Sequence, residues 1–362
     1  MKTTLKATQA TKHENPMGTD GFEFVEFASP DPNALATLFE TMGFTAIADH
    51  RSKQATLYRQ GNINFILNRE PNSFAQEFAK EHGPCACAMA FRVVDANKAF
   101  ERAVQLGATP YEGSKIGKGE LTLPAIYGIG GSLLYFVDRY QDQTIYDVDF
   151  IPKKGISQHP EGQGLILIDH LTHNVHQGEM DKWAHDFYGK IFNFYEIRYF
   201  DIEGQKTGLT SRALASPCGK IKIPLNQSKD TKSQIEEFLR EYKGEGIQHI
   251  AMTTNDIYTT IEGLRDKGLK FLTVPDTYYE MVNERVKGHR ETLDRMKKDQ
   301  ILIDGTVEDD KVELLLQIFT ENVVGPIFFE IIQRKGNEGF GEGNFRALFE
   351  AIERDQMRRG VL

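Results

Sequence analysis

The sequence contains few cysteines. Its 362 residues include Cys85, Cys87 and Cys218. An odd and sparse set does not make a disulfide framework and fits a reducing compartment. One residue separates Cys85 from Cys87, so this pair lacks the C-x-x-C spacing of redox and zinc sites. We interpret both as small buried residues.

Segments typical of membrane insertion or export are also missing. The apolar runs, such as residues 311–319, are short and interrupted by charge, which excludes a membrane-spanning helix of the usual length. The first residues lack an apolar stretch of signal-peptide length, and residues 1–20 are predicted to form a flexible tail. We therefore expect a cytoplasmic protein that does not bind membranes.

Positive charge is scarce as well. Lys and Arg number 43 against 52 Asp and Glu, a formal net charge of -9, and no basic stripe is present that could replace the counterions of a nucleic acid. Hydrophobic residues make up 40% and charged residues 26%, as in ordinary globular proteins. The length exceeds what one hydrophobic core usually serves and predicts two domains.

A strand–helix pattern occurs in both halves of the chain. Residues 22–27 alternate as a strand does, and residues 33–43 have apolar positions at helical spacing. Two further predicted helices begin at Asp95 and Asp256, and each ends on a glycine twelve residues later, at Gly107 and Gly268. This similarity indicates internal repeats.

The pattern predicts an α+β fold with two domains, each made of paired βαβββ modules. We expect a flexible tail over residues 1–20, a non-catalytic domain over 21–150 and a catalytic domain over 151–362, with a linker near 141–163. The alternative is a coincidence between unrelated α+β segments.

Three ionisable residues interrupt apolar, β-prone sequence in the second half. His170 follows LILID, His249 lies in IQHIAMTT and Glu330 lies in IFFEII. A buried carboxylate costs several kcal/mol unless it is paired or bound to a metal. Two imidazoles and one carboxylate are the protein ligands of a facial triad for non-haem iron(II). Taken singly, a histidine on a strand is more often a core residue, and a strand glutamate usually faces solvent.

The repeat strengthens the prediction of a metal site. Superposing the two halves places Phe24, Ala88 and Tyr135 opposite His170, His249 and Glu330, as expected if one half only supports the other. His173 and His176 are rival ligands, although His170 and His173 would face opposite sides of a sheet. Asp169 is expected to orient the strand end or a neighbouring group.

The segments that contain these residues resemble a known family. IDHLTHNV, GIQHIA, ELLLQIFT, FFEIIQRKG and GFGEGNFRALFEAIERDQ are similar to the 4-hydroxyphenylpyruvate dioxygenases, members of the vicinal-oxygen-chelate superfamily. The resemblance covers nearly the whole chain and is strongest over residues 163–356. It implies an iron(II) cofactor, the substrates 4-hydroxyphenylpyruvate and O2, homogentisate and CO2 as products, and a homodimer or homotetramer.

The resemblance also implies a set of residues that bind the substrate. The polar positions are Ser211, Asn226, Gln234, Gln248, Gln317 and Asn344, and the aromatic positions are Phe319, Phe328, Phe340, Phe345 and Phe349. Residues 344–354 would form a C-terminal helix that closes the active site, with glycines 339, 341 and 343 as its hinge. Spacing alone favours ordinary core packing of Phe345 and Phe349, and only the resemblance favours a place in the substrate pocket.

Three other functions remain as alternatives. A 4-hydroxymandelate synthase would use the same substrate, metal and fold. A ring-cleaving dioxygenase or glyoxalase-like enzyme would use a catechol or a glutathione thioester, which the FFEIIQRKG and GFGEGNF segments disfavour. A metal-free protein that sequesters small aromatic compounds belongs to a different class, and iron binding would separate it from the enzymes.

Overall fold

In the computed structural model, each half of the chain forms one eight-stranded sheet. The structure describes residues 13–113, 117–203, 208–308, 311–344 and 347. Within these residues, no helix is both long and apolar enough to cross a membrane.

The N-terminal sheet has the strand order β6-β7-β5-β1-β4-β3-β2-β8. Its strands are β1 (Thr19–Ala28), β2 (Thr45–His50), β3 (Ala55–Gln60), β4 (Ile63–Asn68), β5 (Cys85–Val93), β6 (Ala125–Tyr127), β7 (Leu133–Val137) and β8 (Phe150–Pro152). Its helices are α1 (Pro32–Thr41), α2 (Phe74–His82), α3 (Ala96–Gln105) and α4 (Ile145–Asp149), and a short 3-10 turn spans Ile129–Gly131.

The C-terminal sheet has the order β10-β11-β12-β9-β13-β16-β15-β14. Its strands are β9 (Leu165–Val175), β10 (Tyr195–Glu203), β11 (Gly208–Ala215), β12 (Lys222–Ser228), β13 (Gly246–Thr254), β14 (Leu302–Glu308), β15 (Lys311–Phe319) and β16 (Phe328–Lys335). Its helices are α5 (Lys190–Phe192), α6 (Gln234–Tyr242), α7 (Ile257–Asp266), α8 (Asp276–Glu280), α9 (Val282–Arg285) and α10 (Leu293–Asp299).

These elements confirm the predicted α+β fold of repeated strand–helix–strand modules. In the C-terminal half, β9 and β13 are each followed by helix and then by three strands. The two helices on which the repeat was based are equivalent, because Asp95 caps α3 and Asp256 caps α7 through their carboxylates. The predicted domain limits at residues 20 and 150 stay a prediction; β8 ends at Pro152 and β9 begins at Leu165.

The helical segment between β9 and β10 has an unusual form. Its central part, Lys182–Gly189, is a π-helix that runs into the single turn α5. Among its side chains, Trp183 donates from Nε1 to Glu245 Oε2 at 2.8 Å, and Tyr188 is fully buried. The π-helix thereby contacts the residue that precedes β13 through Trp183 and His173 of β9 through Tyr188.

The two faces of each sheet differ in what covers them. One continuous apolar cluster joins both halves and includes Phe65 of β4 and Phe329 of β16, whose rings stack at 6.0 Å. A second cluster, including Phe24, Leu57 and Tyr146, fills the other face of the N-terminal sheet. The corresponding face of the C-terminal sheet carries polar side chains instead, and we call it the concave face. It holds the candidate site.

Candidate metal centre

The three predicted ligands lie on three adjacent strands. His170 is on β9, His249 is on the central β13 and Glu330 is on β16. Ala251 of β13 pairs with His170 on one side and with Glu330 on the other, while His249 lies two residues away on β13 and therefore on the same face. Residues directly opposite in a sheet point to the same face. The strand register therefore brings all three side chains together on the concave face.

The donor atoms of these residues converge on one point. His170 Nε2 lies 3.2 Å and His249 Nε2 lies 3.3 Å from Glu330 Oε2, and the two imidazole nitrogens are 3.4 Å apart. Octahedral coordination with bonds of about 2.1 Å places neighbouring ligands about 3 Å apart. The donor set and its spacing thus fit a divalent transition metal ion.

Burial and charge make this cluster a strong acceptor for a cation. Burial raises the pKa of Glu330, but hydrogen bonds from the two imidazoles outweigh this effect and lower the pKa to about 2. Burial likewise lowers the pKa of His170, yet Asp169 and Glu330 leave it raised overall, whereas burial leaves the pKa of His249 lowered. A metal ion would replace the proton that these three groups otherwise share.

A buried ion pair orients His170. Asp169 Oδ1 lies 2.8 Å from His170 Nδ1, and Arg334 Nη2 and Nε donate to the two oxygens of Asp169 at 2.7 and 2.9 Å. Such a carboxylate fixes the tautomer and ring angle of a metal-binding imidazole. The expectation that Asp169 orients a neighbouring group agrees with this geometry. Nothing in the sequence around Arg334 had indicated its part.

The same arginine holds the segment that precedes the predicted C-terminal helix. Arg334 Nη1 donates to the carbonyl oxygens of Asn337 and Gly339 at 2.9 and 2.7 Å, and its guanidinium lies over the Phe340 ring. One side chain therefore connects His170, through Asp169, with the glycine-rich segment 339–343.

Amide side chains orient the other two ligands. Gln248 Oε1 lies 2.8 Å from His249 Nδ1, and Gln317 Nε2 donates to Glu330 Oε1 at 2.9 Å. Asn344 in turn donates from Nδ2 to Gln317 Oε1 at 2.6 Å. These three predicted substrate-binding amides contact the ligands or each other in the described structure.

A second set of contacts fixes Asn344. Tyr278 Oη donates to Asn344 Oδ1 at 2.6 Å, and Arg285 Nη2 donates to the same oxygen at 3.3 Å and to Tyr278 Oη at 2.7 Å. Neither Tyr278 nor Arg285 was predicted from the sequence, because both lie on short helices far from the ligand segments in the chain. The chain of bonds from Glu330 to Arg285 links the ligand shell with residue 344.

Aromatic rings flank the two histidines. Phe328 stacks on His249 with ring centroids 4.8 Å apart, and Phe319 meets Phe328 edge to face at 6.0 Å. Phe340 contacts His170 edge to face at 5.2 Å. The three predicted aromatic positions among the described residues therefore lie at the site, while Phe345 and Phe349 lie outside the described residues.

Two of the three remaining predicted polar residues lie on the concave face, and the third does not. Ser211 of β11 pairs directly with Asn226 of β12, which pairs with Asn174 of β9, two steps along that strand from Thr172. Ser211 and Asn226 therefore lie on the concave face, toward the end of β9 that is away from His170. Gln234, the first residue of α6, is exposed, and the structure does not bring it to the metal centre.

The rival histidines lie away from the cluster. His173 points to the opposite face of β9, where its Nε2 is 2.7 Å from Tyr188 Oη, and burial lowers its pKa to about 3. His176 follows the end of β9 and is exposed. Among the described residues, the one group of His, Cys, Asp and Glu with metal-binding geometry is His170, His249 and Glu330.

Comparison with known proteins places the chain in a family. Residues 13–151 match the model for hydroxyphenylpyruvate dioxygenase, HPPD, N-terminal, and residues 167–284 match that of the glyoxalase/bleomycin resistance protein/dioxygenase superfamily. A 4-hydroxyphenylpyruvate dioxygenase of Pseudomonas aeruginosa is 58% identical over 99% of this chain and 100% of its own length. The chain belongs to the 4-hydroxyphenylpyruvate dioxygenase family. This result confirms the resemblance and the enzyme class predicted from the sequence.

Two other relatives show how far the similarity extends. Hemolysin VllY of Vibrio vulnificus is 61% identical over 96% of this chain and 98% of its own length. A solved structure of a mutant 4-hydroxymandelate synthase from Streptomyces coelicolor has a TM-score of 0.79, with 25% identity over 94% of this chain and 100% of that chain. The fold is thus shared more widely than the sequence of the dioxygenase family.

Proposed function

We propose that this protein converts 4-hydroxyphenylpyruvate and O2 to homogentisate and CO2, with iron(II) bound by His170, His249 and Glu330. The observation that carries the proposal is the convergence of two imidazoles and one carboxylate on the concave face, 3.2 to 3.4 Å apart. Three ligands on one side of an ion leave positions on its other side for the substrate and O2.

Iron(II) would act as a Lewis acid, chelated by the α-keto acid, and as a redox centre for the activation of O2. The charges of the site favour this choice of substrate. Two neutral imidazoles and one carboxylate leave a bound divalent ion with a net positive charge, whereas Arg334 is already neutralised by Asp169. A metal ion held by His170, His249 and Glu330 would therefore supply the positive charge for the carboxylate of the substrate in a protein of net charge -9.

The residues around the metal ligands contact the substrate or orient a ligand. Phe319, Phe328 and Phe340 offer an apolar wall for the ring and exclude water from the reacting atoms. Ser211 and Asn226, farther along the concave face, offer hydrogen bonds to the phenolic hydroxyl. Gln317 donates a hydrogen bond to Glu330 and so orients the carboxylate that would hold the cation.

The reaction needs no external reductant, because the substrate supplies the electrons. One oxygen atom of O2 enters the new carboxylate as CO2 leaves, and the other enters the ring, where the side chain moves to the neighbouring carbon. Oxidation at the benzylic carbon instead would give 4-hydroxymandelate. The 58% identity to a 4-hydroxyphenylpyruvate dioxygenase, against 25% to a 4-hydroxymandelate synthase, favours homogentisate.

Product analysis tests this proposal. Iron(II)-loaded protein is incubated with 4-hydroxyphenylpyruvate and O2, and the product is identified by chromatography and mass spectrometry. We expect homogentisate in equal amount to the oxygen consumed. Glu330→Gln should lose iron and turnover together, whereas Glu313→Gln, on the neighbouring strand but away from the cluster, should keep both. Production of 4-hydroxymandelate, or iron retention and full turnover in Glu330→Gln, would contradict the proposal.

The assembly and location of the enzyme stay predictions. We propose a homodimer or homotetramer in the cytoplasm, with the N-terminal half as the assembly surface, since the second apolar cluster fills the face that would correspond to an active site. Sedimentation velocity of the full chain measures the oligomeric state directly.

A further inference from the structure

Asn174 is a buried polar residue whose side chain lacks a partner. It is 0% exposed, and within the part of the chain that the structure describes neither its Nδ2 nor its Oδ1 makes a hydrogen bond. A buried amide without hydrogen bonds costs free energy of folding. Such a group in a folded protein calls for an explanation by a ligand or another function.

The strand register places Asn174 beside the polar residues already assigned to the substrate. Ser211, Asn226 and Asn174 are direct neighbours across β11, β12 and β9, so their side chains share one face. Leu171 and Val175 belong to the apolar cluster on the opposite face. By the alternation of a strand, Asn174 therefore lies on the concave face with His170.

The distance along β9 suits a ligand held at both ends. Asn174 lies four positions after His170, which corresponds to about 13 Å along a strand. Thr172 lies between them and pairs with His249. A para-substituted phenylpyruvate bound to the metal ion by its keto acid, with a hydrogen bond at its far end, spans a gap of this size.

We propose that Asn174 recognises the phenolic hydroxyl of the substrate together with Ser211 and Asn226, and so selects 4-hydroxyphenylpyruvate over phenylpyruvate. The inference rests on the proposed function, to which it adds a specificity-determining residue. The amide can both donate to and accept from a hydroxyl group. A phenylpyruvate, which lacks that group, would leave the amide as unpaired as it is in the free protein.

This role predicts a change in melting temperature that differs in sign from the change expected for a purely structural asparagine. An amide that stabilises the fold through its own hydrogen bonds lowers the melting temperature when it is removed. An amide whose partner is the ligand destabilises the free protein, because it is buried there without hydrogen bonds. Asn174→Ala should therefore leave the melting temperature unchanged or slightly raised. Thr172→Val is the matched control, because it removes an unpartnered hydroxyl group from the same face of β9, nearer to the metal centre.

The experiment measures binding and turnover with both substrates. Iron(II)-loaded wild type, Asn174→Ala, Asn174→Ser and Thr172→Val are titrated without oxygen with 4-hydroxyphenylpyruvate and with phenylpyruvate, and their melting temperatures are recorded. We expect Asn174→Ala to bind 4-hydroxyphenylpyruvate about 10- to 100-fold more weakly and phenylpyruvate with little change. Asn174→Ser should fall between it and the wild type, and Thr172→Val should keep the preference of the wild type.

Two results would overturn the inference while the proposed function holds. The first is a wild type that makes homogentisate and an Asn174→Ala variant that keeps the full preference for the hydroxylated substrate. The second is an equal loss for both substrates with a clearly lowered melting temperature, which would make Asn174 a structural residue. A wild type that produces no homogentisate contradicts the proposed function instead, and the two failures are therefore distinguishable.

Discussion

Replacement of Arg334 by methionine tests whether the ion pair behind His170 controls both stability and metal binding. The guanidinium donates two hydrogen bonds to Asp169 and two to the carbonyl oxygens of Asn337 and Gly339, all between 2.7 and 2.9 Å. The side chains of Arg334 and Asp169 are 12% and 7% exposed. The pair is therefore largely shielded from water.

The expected magnitude follows from this burial. Methionine fills a similar volume but leaves the Asp169 carboxylate buried without its cation, which costs about 3–5 kcal/mol of unfolding free energy in comparable pairs. His170 also loses the fixed carboxylate that orients its ring, and loss of such a partner lowers metal affinity about 10- to 100-fold. Both effects should appear in the same variant.

Chemical denaturation measures the first effect and competition with a chelator of known affinity measures the second. Arg295→Met is the matched control, since Arg295 is 42% exposed and pairs with Glu262 at the surface; we expect a change below about 1 kcal/mol. The double variant Asp169→Asn/Arg334→Met should be less destabilised than the sum of the two single variants, because no unpaired charge remains. Stability and metal affinity of Arg334→Met within the range of the Arg295→Met control would refute the reasoning.

Three further predictions concern a histidine, a glycine and the metal ion. The pKa of His173 is lowered to about 3 in the folded protein from 6.5, so its contribution to stability is fully present above pH 6.5 and is lost as the pH falls toward 3, by about 2 kcal/mol at pH 5. Denaturation of the metal-free protein at several pH values should show that the unfolding free energy of His173→Gln falls less steeply with decreasing pH than that of the wild type. An unchanged pH dependence of the unfolding free energy would contradict this. Gly341→Ala should reduce turnover at least tenfold, because a Cβ there would lie 1.7 Å from Gln317 Oε1. Gly155→Ala, with a similar positive φ and open space around it, should retain turnover. Equal turnover of the two variants would contradict a role for the close approach of Gly341 to Gln317. Iron(II) at 100 times its dissociation constant should raise the unfolding free energy by about 2.7 kcal/mol over the chelated protein, and Glu330→Gln should lose most of this gain; a gain of the same size in that variant would contradict the ligand assignment.

The ligand residues could be predicted because they violate the local pattern of the sequence. A carboxylate between two phenylalanines and two isoleucines, as at Glu330, has no place in an ordinary buried strand, and the structure shows it 2% exposed. The internal repeat added independent information. In the N-terminal half, Ala90 pairs with Phe24 and with Tyr135 just as Ala251 pairs with His170 and with Glu330. The alignment made from sequence therefore agrees with the register of both sheets.

The residues that support the ligands could not be predicted in the same way. Arg334 lies in a polar run at the end of β16, and nothing local distinguishes its contact with Asp169, 165 residues earlier in the chain. Asn174 follows two histidines and precedes a loop, where a polar residue is ordinary. Their roles depend on which strands become neighbours and in which register. That information arises only when the sheet forms.

Some elements of the fold were missed for a related reason. Helices α2 and α6 are short, and their strongest signal is one serine each, Ser73 and Ser233, whose hydroxyls cap the first turn. Strand β14 contains Asp304 and Gly305, which disfavour a strand in isolation. It forms nevertheless, because β15 pairs with it over its whole length. Long-range pairing overrides local preference at these positions.

The comparison of the two halves explains why one metal centre is expected in a chain with two equivalent faces. In the N-terminal half, Phe24 and Tyr135 occupy the positions of His170 and Glu330, and their rings lie 5.7 Å apart. Further apolar side chains, such as Leu57 and Val137, belong to the same cluster. Burial of these apolar rings stabilises the N-terminal half, as a bound metal ion would stabilise the C-terminal half. The N-terminal face is thereby a packed core, and the polar, cation-binding face remains with the C-terminal sheet.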